Sequence, residues 1–339
     1  MTGYRIAVVG ATGLVGQTVL QVLEDWEVPI STIVALARDS AGRWVDFAGK
    51  KIPVEPIDGM DWRRVDVAFF AAGNSVSESY APLARDGGVT VIDKSSRWRM
   101  DPGVPLVVPE VNGDAIGEAT LIASPNCSTI QLVIALAPLY HQFGIERTIV
   151  STYQAVSGTG RDAVRELELE TRQTLDGYPL TPEVYPEPIA HNVIPFCDEF
   201  GANDFTGEEW KLMRETTKIL GADVRLSATA VRVPVYVGHA ESVYVSTSRP
   251  WTLDAVRDAL RSGPSVRLVD EPARGLVPTP LAAAGQDDVL VGRLRRDLHD
   301  PHGLHLFVAA DNLRRGAASN AIDIMRLIAP RWNIGTKPR

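Results

Sequence analysis

The chain has 339 residues, 45% hydrophobic and 22% charged, with a formal net charge of −8, so it is globular in composition and long enough for two cores rather than one. The negative balance repels phosphate backbones, which excludes nucleic acid as an expected partner, and no apolar run is long enough to span a bilayer, so no membrane role is expected. Two cysteines, Cys127 and Cys197, are too few for a disulfide framework; a cytoplasmic enzyme that keeps at least one reactive thiol is expected.

The chain opens directly on a strand pattern at residues 5–9, without the apolar segment of a signal peptide. Ile6, Ala7, Val8 and Val9 are uniformly apolar, as a strand covered on both faces requires. A glycine-rich turn follows, then a helical pattern through Val15, Val19, Val22 and Leu23. Further strands are expected at 31–37, 65–71 and 89–92, with a helix at 77–84. This alternation predicts an α/β, Rossmann-type, doubly wound parallel sheet.

The pattern changes after Cys127. A strand at 148–155, a helix at 161–175 and a proline-rich ordered loop at 178–188 lead to a helix at 208–220. Long strands at 224–237 and 240–247, a helix at 251–261 and a strand at 304–309 complete an α+β domain with a mixed sheet. An amphipathic helix at 317–328 is expected to return to the first domain. The domain reading is therefore 1–127, completed by 313–339, as the cofactor domain, and 128–312 as the catalytic and dimer-forming domain.

Gly10-Ala11-Thr12-Gly13-Leu14-Val15-Gly16 lies between the first strand and the first helix. Glycines there let backbone N–H groups approach a pyrophosphate at the positive end of the helix. The spacing differs from the commoner G-x-G-x-x-G, and a ligand-free tight turn is the alternative; the strand-to-helix context favours a dinucleotide. Expected contacts are Gly10, Thr12, Gly13, Leu14, Val15 and Gly16, with Ala72 at the end of a neighbouring strand. At the end of the second strand, Arg38 and Ser40 suit the 2′-phosphate of NADP, while Asp39 is the residue type that favours NAD. NADP is preferred on this reading.

Ser124-Pro125-Asn126-Cys127-Ser128-Thr129 precedes an apolar helix, placing Cys127 at a helix N-terminus. The macrodipole and unpaired N–H groups there favour the thiolate and can hold an oxyanion. Cys197, in an apolar Ile-Pro-Phe-Cys run, reads as a buried core cysteine. A nucleotide fold plus a thiolate implies one chemistry: sulfur adds to an aldehyde, hydride leaves for a nicotinamide, and the resulting thioester is released by a second nucleophile.

Over nearly its whole length the chain resembles the aspartate-semialdehyde dehydrogenase family. The motifs that carry this are the glycine loop, Arg38 to Gly42, Ser95 to Met100, Pro125 to Thr129, Tyr153 to Gly160, Glu208 to Lys211, Arg232 to His239 and Asn312 to Ala318. The resemblance implies that Cys127 is the nucleophile, His239 the general acid/base and Gln154 the residue orienting the intermediate. It implies Arg232 for the substrate carboxylate, Glu208 for its amino group, Arg99 and Lys211 for phosphate, and Asn126 beside the nucleophile. Ser157, Gly158 and Asn312 fall in segments that line the nicotinamide side. Arg97 competes with Arg99, and the spacing to Met100 favours Arg99. Arg314-Arg315, where the family often has Arg-Lys, is expected on a solvated edge. No metal is expected.

The implied reaction joins aspartate 4-semialdehyde, phosphate and NADP to aspartyl 4-phosphate and NADPH, used reductively toward lysine, threonine, methionine and isoleucine. A homodimer or homotetramer is implied. Two other readings are a reductase of the N-acetyl-glutamyl-phosphate type, against which Glu208, Lys211 and Arg232 argue, and a non-catalytic nucleotide-binding paralogue, which would lack the nucleophile.

Overall fold

Uniformly apolar from Ile6 to Val9, the run Tyr4–Val9 (β1) becomes a central strand of a sheet, with only Arg5 exposed. The computed structural model describes residues 3–221 and 224–332. They fall into two units, Met1–Asn126 with Ala317–Arg339, and Cys127–Gly316; residues 1–2 and 333–339 of the expected cofactor domain lie outside the described residues.

In the first unit β1 is followed by α1 (Leu14–Asp25), β2 (Ile30–Ala37), β3 (Trp44–Phe47), β4 (Lys50–Pro56), β5 (Val67–Phe70), α2 (Asn74–Asp86), β6 (Thr90–Asp93), the short α3 (Pro109–Asn112) and β7 (Leu121–Ala123). The strand order is β3-β4-β2-β1-β5-β6-β7. Neighbours run parallel except in the β3–β4 hairpin. The sequence pattern does not announce that hairpin, because it forms an edge rich in charge, with Lys51 reaching Asp46 across it.

Period-two alternation sends Ile6, Val8, Val67, Phe69 and Ile92 to one face. There they pack with Val19, Val22 and Leu23 of α1 and with Ile322, Ile324 and Met325 of the helix Asn320–Ile328. On the other face Trp62 stacks on Phe70 at 6.1 Å, and Gly87 at the end of α2 comes against Trp62. Helices therefore cover both faces, as doubly wound sheets require. The C-terminal helix begins at Asn320 rather than at 317, after a π-helical turn at Arg314–Ser319. Asp311 causes the delay: its carboxylate takes the N–H groups of Leu313 and Arg314, and its carbonyl takes that of Gly316 at 2.9 Å, which widens the turn.

The second unit opens with α4 (Cys127–Phe143), apolar on nearly every side and buried accordingly. It continues through β8 (Arg147–Gln154), α5 (Arg161–Asp176), α6 (Gly207–Leu220), β9 (Arg225–Arg232), β10 (His239–Ser246), α7 (Leu253–Ser262), β11 (Val266–Leu268), α8 (Pro280–Ala283), β12 (Val289–Arg296) and β13 (Gly303–Ala310). The sheet order is β11-β12-β13-β10-β8-β9, mixed as expected, with β8–β9 and β11–β12 parallel. A capping box between Thr206 and Glu209 starts α6.

Along β8 the residues Thr148, Val150, Thr152 and Gln154 are buried, while Ile149 and Tyr153 face outward. Helices α4 and α6 lie against this sheet. The strand expected at 224–237 ends at Arg232. Pro234 offers no N–H to a ladder, and the chain turns through 233–238 to start β10 at His239.

Candidate active site

In the first unit the glycine loop is shaped by close approach. Gly10 has φ +82, and a Cβ there would lie 2.7 Å from the Ala71 carbonyl, beside Ala72. A Cβ on Gly16 would lie 2.2 Å from the Gly10 carbonyl, so α1 could not sit against β1. Gly13, the cap of α1, is different: its Cβ would meet only the Gly10 carbonyl, at 3.4 Å. Packing therefore does not demand this glycine. Leu14 and Val15 form the first turn behind it. Thr12 Oγ1 lies 2.7 Å from Ser40 Oγ, joining the loop to the end of β2. Arg38 is exposed and pairs with Asp39 at 3.2 Å, so the residue types that favour NADP and NAD meet at one spot.

Also in the first unit, Arg99 is buried and donates to the carbonyls of Ser124, at 3.1 Å, and Lys94, at 2.6 Å. Arg97 instead pairs with Glu78 and lies over the Trp98 ring at 4.3 Å. Lys94, unremarked in the sequence reading, donates to Ser124 Oγ and the Pro125 carbonyl, holding the segment that carries buried Asn126. A lysine directly after a parallel strand is the signal that could have found it.

In the second unit the register explains the cluster. Gln154 ends β8 opposite Arg232, which ends the parallel β9, and His239 begins the antiparallel β10. All three therefore meet at one end of the sheet, and all are buried. Gly238, with φ +98 and a virtual Cβ 2.7 Å from the Pro280 carbonyl, permits the turn that delivers His239. The Ala155 N–H donates to His239 Nδ1 at 3.0 Å, and Arg232 donates to the Ala155 carbonyl at 2.7 Å. A Cβ on Gly158 would lie 3.1 Å from both Arg232 and His239 Nε2, so a side chain there would press on both. Asn312 accepts the Gly238 N–H at 2.8 Å and donates to Ser157 at 3.0 Å, holding the turn from below. Both of those side chains are buried in this support.

Glu208 and Lys211 stand one turn apart at the start of α6. Gln154 donates to Glu208 at 3.2 Å, and Lys211 bridges Glu208, at 3.2 Å, and Asp198, at 2.7 Å. The chain Asp198–Lys211–Glu208–Gln154 is thus continuous and much more than a surface pair. Asp198 could not be foreseen, since it comes from an irregular loop.

Cys127 starts α4, where the macrodipole favours an anionic sulfur. Gly316 passes so close that a Cβ there would lie 2.9 Å from Cys127 Cβ. Cys197 is a core cysteine whose thiol is pushed up to about 12 by burial, partly offset by the charge of Arg232. Burial, aided by Arg232, holds His239 well below the ordinary imidazole pKa, so the ring is neutral. Burial opposes the Lys211 charge, but Glu208 and Asp198 outweigh it and raise its pKa. Arg315, expected at a solvated edge, is fully buried and donates to the Asp287 carbonyl at 2.6 Å, while Arg314 pairs with the Asp287 carboxylate at 3.0 Å.

Residues 5–119 match the family described as semialdehyde dehydrogenase, NAD binding domain, and residues 136–315 match semialdehyde dehydrogenase, dimerisation domain. The chain is 43% identical over 331 residues to the aspartate-semialdehyde dehydrogenase of a Shewanella species, covering 96% of this chain and 97% of that one. The chain belongs to the aspartate-semialdehyde dehydrogenase family. Another member of that family, from Bacillus subtilis, is 44% identical over 333 residues, covering 95% and 96% of the two chains. The crystal structure of aspartate semialdehyde dehydrogenase II from Vibrio cholerae, complexed with ASA, superposes with a TM-score of 0.94 at 41% identity, over 98% of this chain and all of that one. Among the described residues no helix is long and apolar enough to cross a membrane.

Proposed function

We propose that this chain catalyses the reversible, NADPH-dependent reduction of L-aspartyl 4-phosphate to L-aspartate 4-semialdehyde and phosphate through a thioester on Cys127. One observation carries the reading: a cysteine starts helix α4, which packs on α6, and α6 holds the glutamate that bonds Gln154 beside the buried His239 and Arg232.

Each residue has a task that its position suits. Cys127 sulfur attacks the acyl carbonyl; a C–S bond forms, the C–O bond to phosphate breaks, and phosphate leaves with the electron pair. A bound nicotinamide supplies the hydride that takes the thioester to the aldehyde level. The oxygen's electrons then expel sulfur and release the aldehyde. His239, through Nε2, and the first N–H groups of α4 stabilise the oxygen while it is negative. Arg232 presents a planar fork to the substrate carboxylate, and Glu208 accepts from its ammonium group. Arg99 and Lys211 supply positive charge for phosphate, with Asn126 beside the nucleophile.

The first unit is the cofactor domain, read as 1–127 plus the C-terminal segment, with Gly10, Thr12, Gly13, Leu14, Val15, Gly16, Arg38, Ser40 and Ala72 as its contacts; Ser157, Gly158 and Asn312 belong to the nicotinamide side. Arg38 and Ser40 favour NADP over NAD. Residues 128–312 form the catalytic domain and make a homodimer or homotetramer through the outward sheet face, where Ile149 and Tyr153 are exposed and Tyr153 stacks on Phe307 at 6.2 Å. A reducing cytoplasm suits a reaction that needs a free thiol.

The test is formation of reduced nicotinamide from aspartate semialdehyde and phosphate, with NADP and with NAD, for wild type and Cys127→Ser. Phosphate-dependent turnover by wild type, falling on the order of 10³-fold or more in the variant, is expected. A folded wild type without turnover would turn the assignment to the N-acetylated acyl phosphates.

A further inference from the structure

The irregular stretch between α5 and α6 is held as firmly as a strand. Glu166, on the second turn of α5, accepts the backbone N–H groups of Glu183 and Val184 at 2.6 Å each and of Tyr185 at 3.2 Å. Glu170, one turn on, accepts those of Ile189 and Ala190 at 2.8 and 2.9 Å. Ile194 then exchanges two backbone hydrogen bonds with Arg232, at 3.0 and 2.8 Å. Beneath this, Val156, Ala163, Leu167, Ile189 and Ile194 form a small core with Tyr185 packed on it. Burying two carboxylates four residues apart on one helix is costly; five backbone N–H bonds offset that cost by fixing one segment.

The segment sets Tyr185 against Arg232. The ring centroid lies 6.0 Å from the Arg232 Cζ, and the hydroxyl lies 2.8 Å from Thr159 Oγ1. Arg232 has one end fixed on the Ala155 carbonyl, while its buried Nε has no partner. A long side chain held at one end keeps rotamer freedom that must be lost when substrate binds. An aromatic face removes that freedom beforehand and adds cation–π attraction.

We propose that Tyr185 is a positioning residue for substrate recognition: its ring fixes the Arg232 guanidinium in the orientation that receives the carboxylate of a 4-carbon amino-acid semialdehyde or acyl phosphate, and Glu166 is the anchor that places Tyr185. This rests on the reading of Arg232 as the carboxylate-binding residue.

A double-mutant cycle tests both. Tyr185→Ala raises the KM for aspartate semialdehyde about tenfold, with kcat within about twofold and the KM for phosphate unchanged. Tyr185→Phe, which keeps the ring, restores the wild-type KM. In an Arg232→Ala background, which itself raises that KM, Tyr185→Ala adds nothing. An equal rise in both backgrounds, or no rise in Tyr185→Ala beside a large one in Arg232→Ala, overturns the role of Tyr185. An unchanged KM in Arg232→Ala overturns the reading of Arg232, and the proposal with it. Glu166→Gln leaves the ring intact but weakens its anchor. A rise of about threefold is expected, and no rise removes Glu166 from the account. Tyr185→Leu takes the place of the alanine variant if that variant does not fold.

Discussion

The two candidate sites are built on opposite plans. The loop at residues 10–16 is made of backbone: its shape comes from glycines at Gly10 and Gly16, and its chemistry from N–H groups at the start of α1. The cluster around His239 is made of side chains drawn from β8, β9, β10, α4 and α6, and held by bonds such as Ala155 to His239, separated by 84 residues. A backbone site fails when a side chain is added. A side-chain site fails when one is changed, and it can fail without unfolding.

That contrast can be broken at several points. His239→Asn should lower kcat on the order of 10³-fold with little change in melting temperature at pH 8. The same variant carries a pH signature. Wild-type His239 has a folded pKa well below its unfolded value near 6.5. Its contribution to stability is therefore fully present above about pH 6.5 and is lost as pH falls from there toward the folded pKa. The variant should lose less stability over that acid range, as read by denaturant titration; parallel pH curves would show that His239 is not buried as a neutral ring.

Adding a methyl group sorts the glycines of the loop. Gly16→Ala, with its Cβ against the Gly10 carbonyl, should destabilise the protein by about 3 kcal/mol. Gly13→Ala should cost no more than about 1 kcal/mol while weakening NADP binding about tenfold. Thermal unfolding and cofactor titration separate the two effects, and equal destabilisation would end the claim that Gly13 serves a ligand. The smallest expected change is at Arg38. Arg38→Ala should raise the KM for NADP about fivefold and leave that for NAD nearly unchanged; an equal change for both would remove Arg38 from cofactor choice.

The same contrast decides what could be read in the sequence. The glycine loop, the apolar run of β1 and the start of α4 at Cys127 are local patterns, legible because the residues that cause them are neighbours. The hairpin at β3–β4 is not, since charged edge strands lack a hydrophobic alternation strong enough to notice. The end of β9 at Arg232 is not legible, because residues 224–237 are rich in valine, while Pro234 and the turn to Gly238 override that propensity. The roles of Gln154, Arg232 and Glu208 entered through resemblance; nothing local says that they converge. Asp198, Tyr185 and the buried state of Arg315 depend on contacts between distant segments, for which a single sequence carries no signal.

The hydrogen bond from Ala155 to His239 has a consequence for where hydrogen sits on the ring. A backbone N–H aimed at Nδ1 excludes a hydrogen on that nitrogen, so the neutral ring is the Nε2–H tautomer. Burial and the charge of Arg232, which lower its basicity, keep that ring neutral. The shuttle of protons that the family resemblance implies would first require Nδ1 to release Ala155. A ring fixed in this way has its one acceptor taken by Ala155 and offers the substrate only the Nε2–H donor. The substrate oxygen becomes negative twice, once when sulfur attacks and once when hydride arrives. If its charge is held by Nε2–H rather than quenched by a transferred proton, the same electron pair remains ready to re-form the carbonyl and expel phosphate or sulfur, in whichever direction the reaction runs.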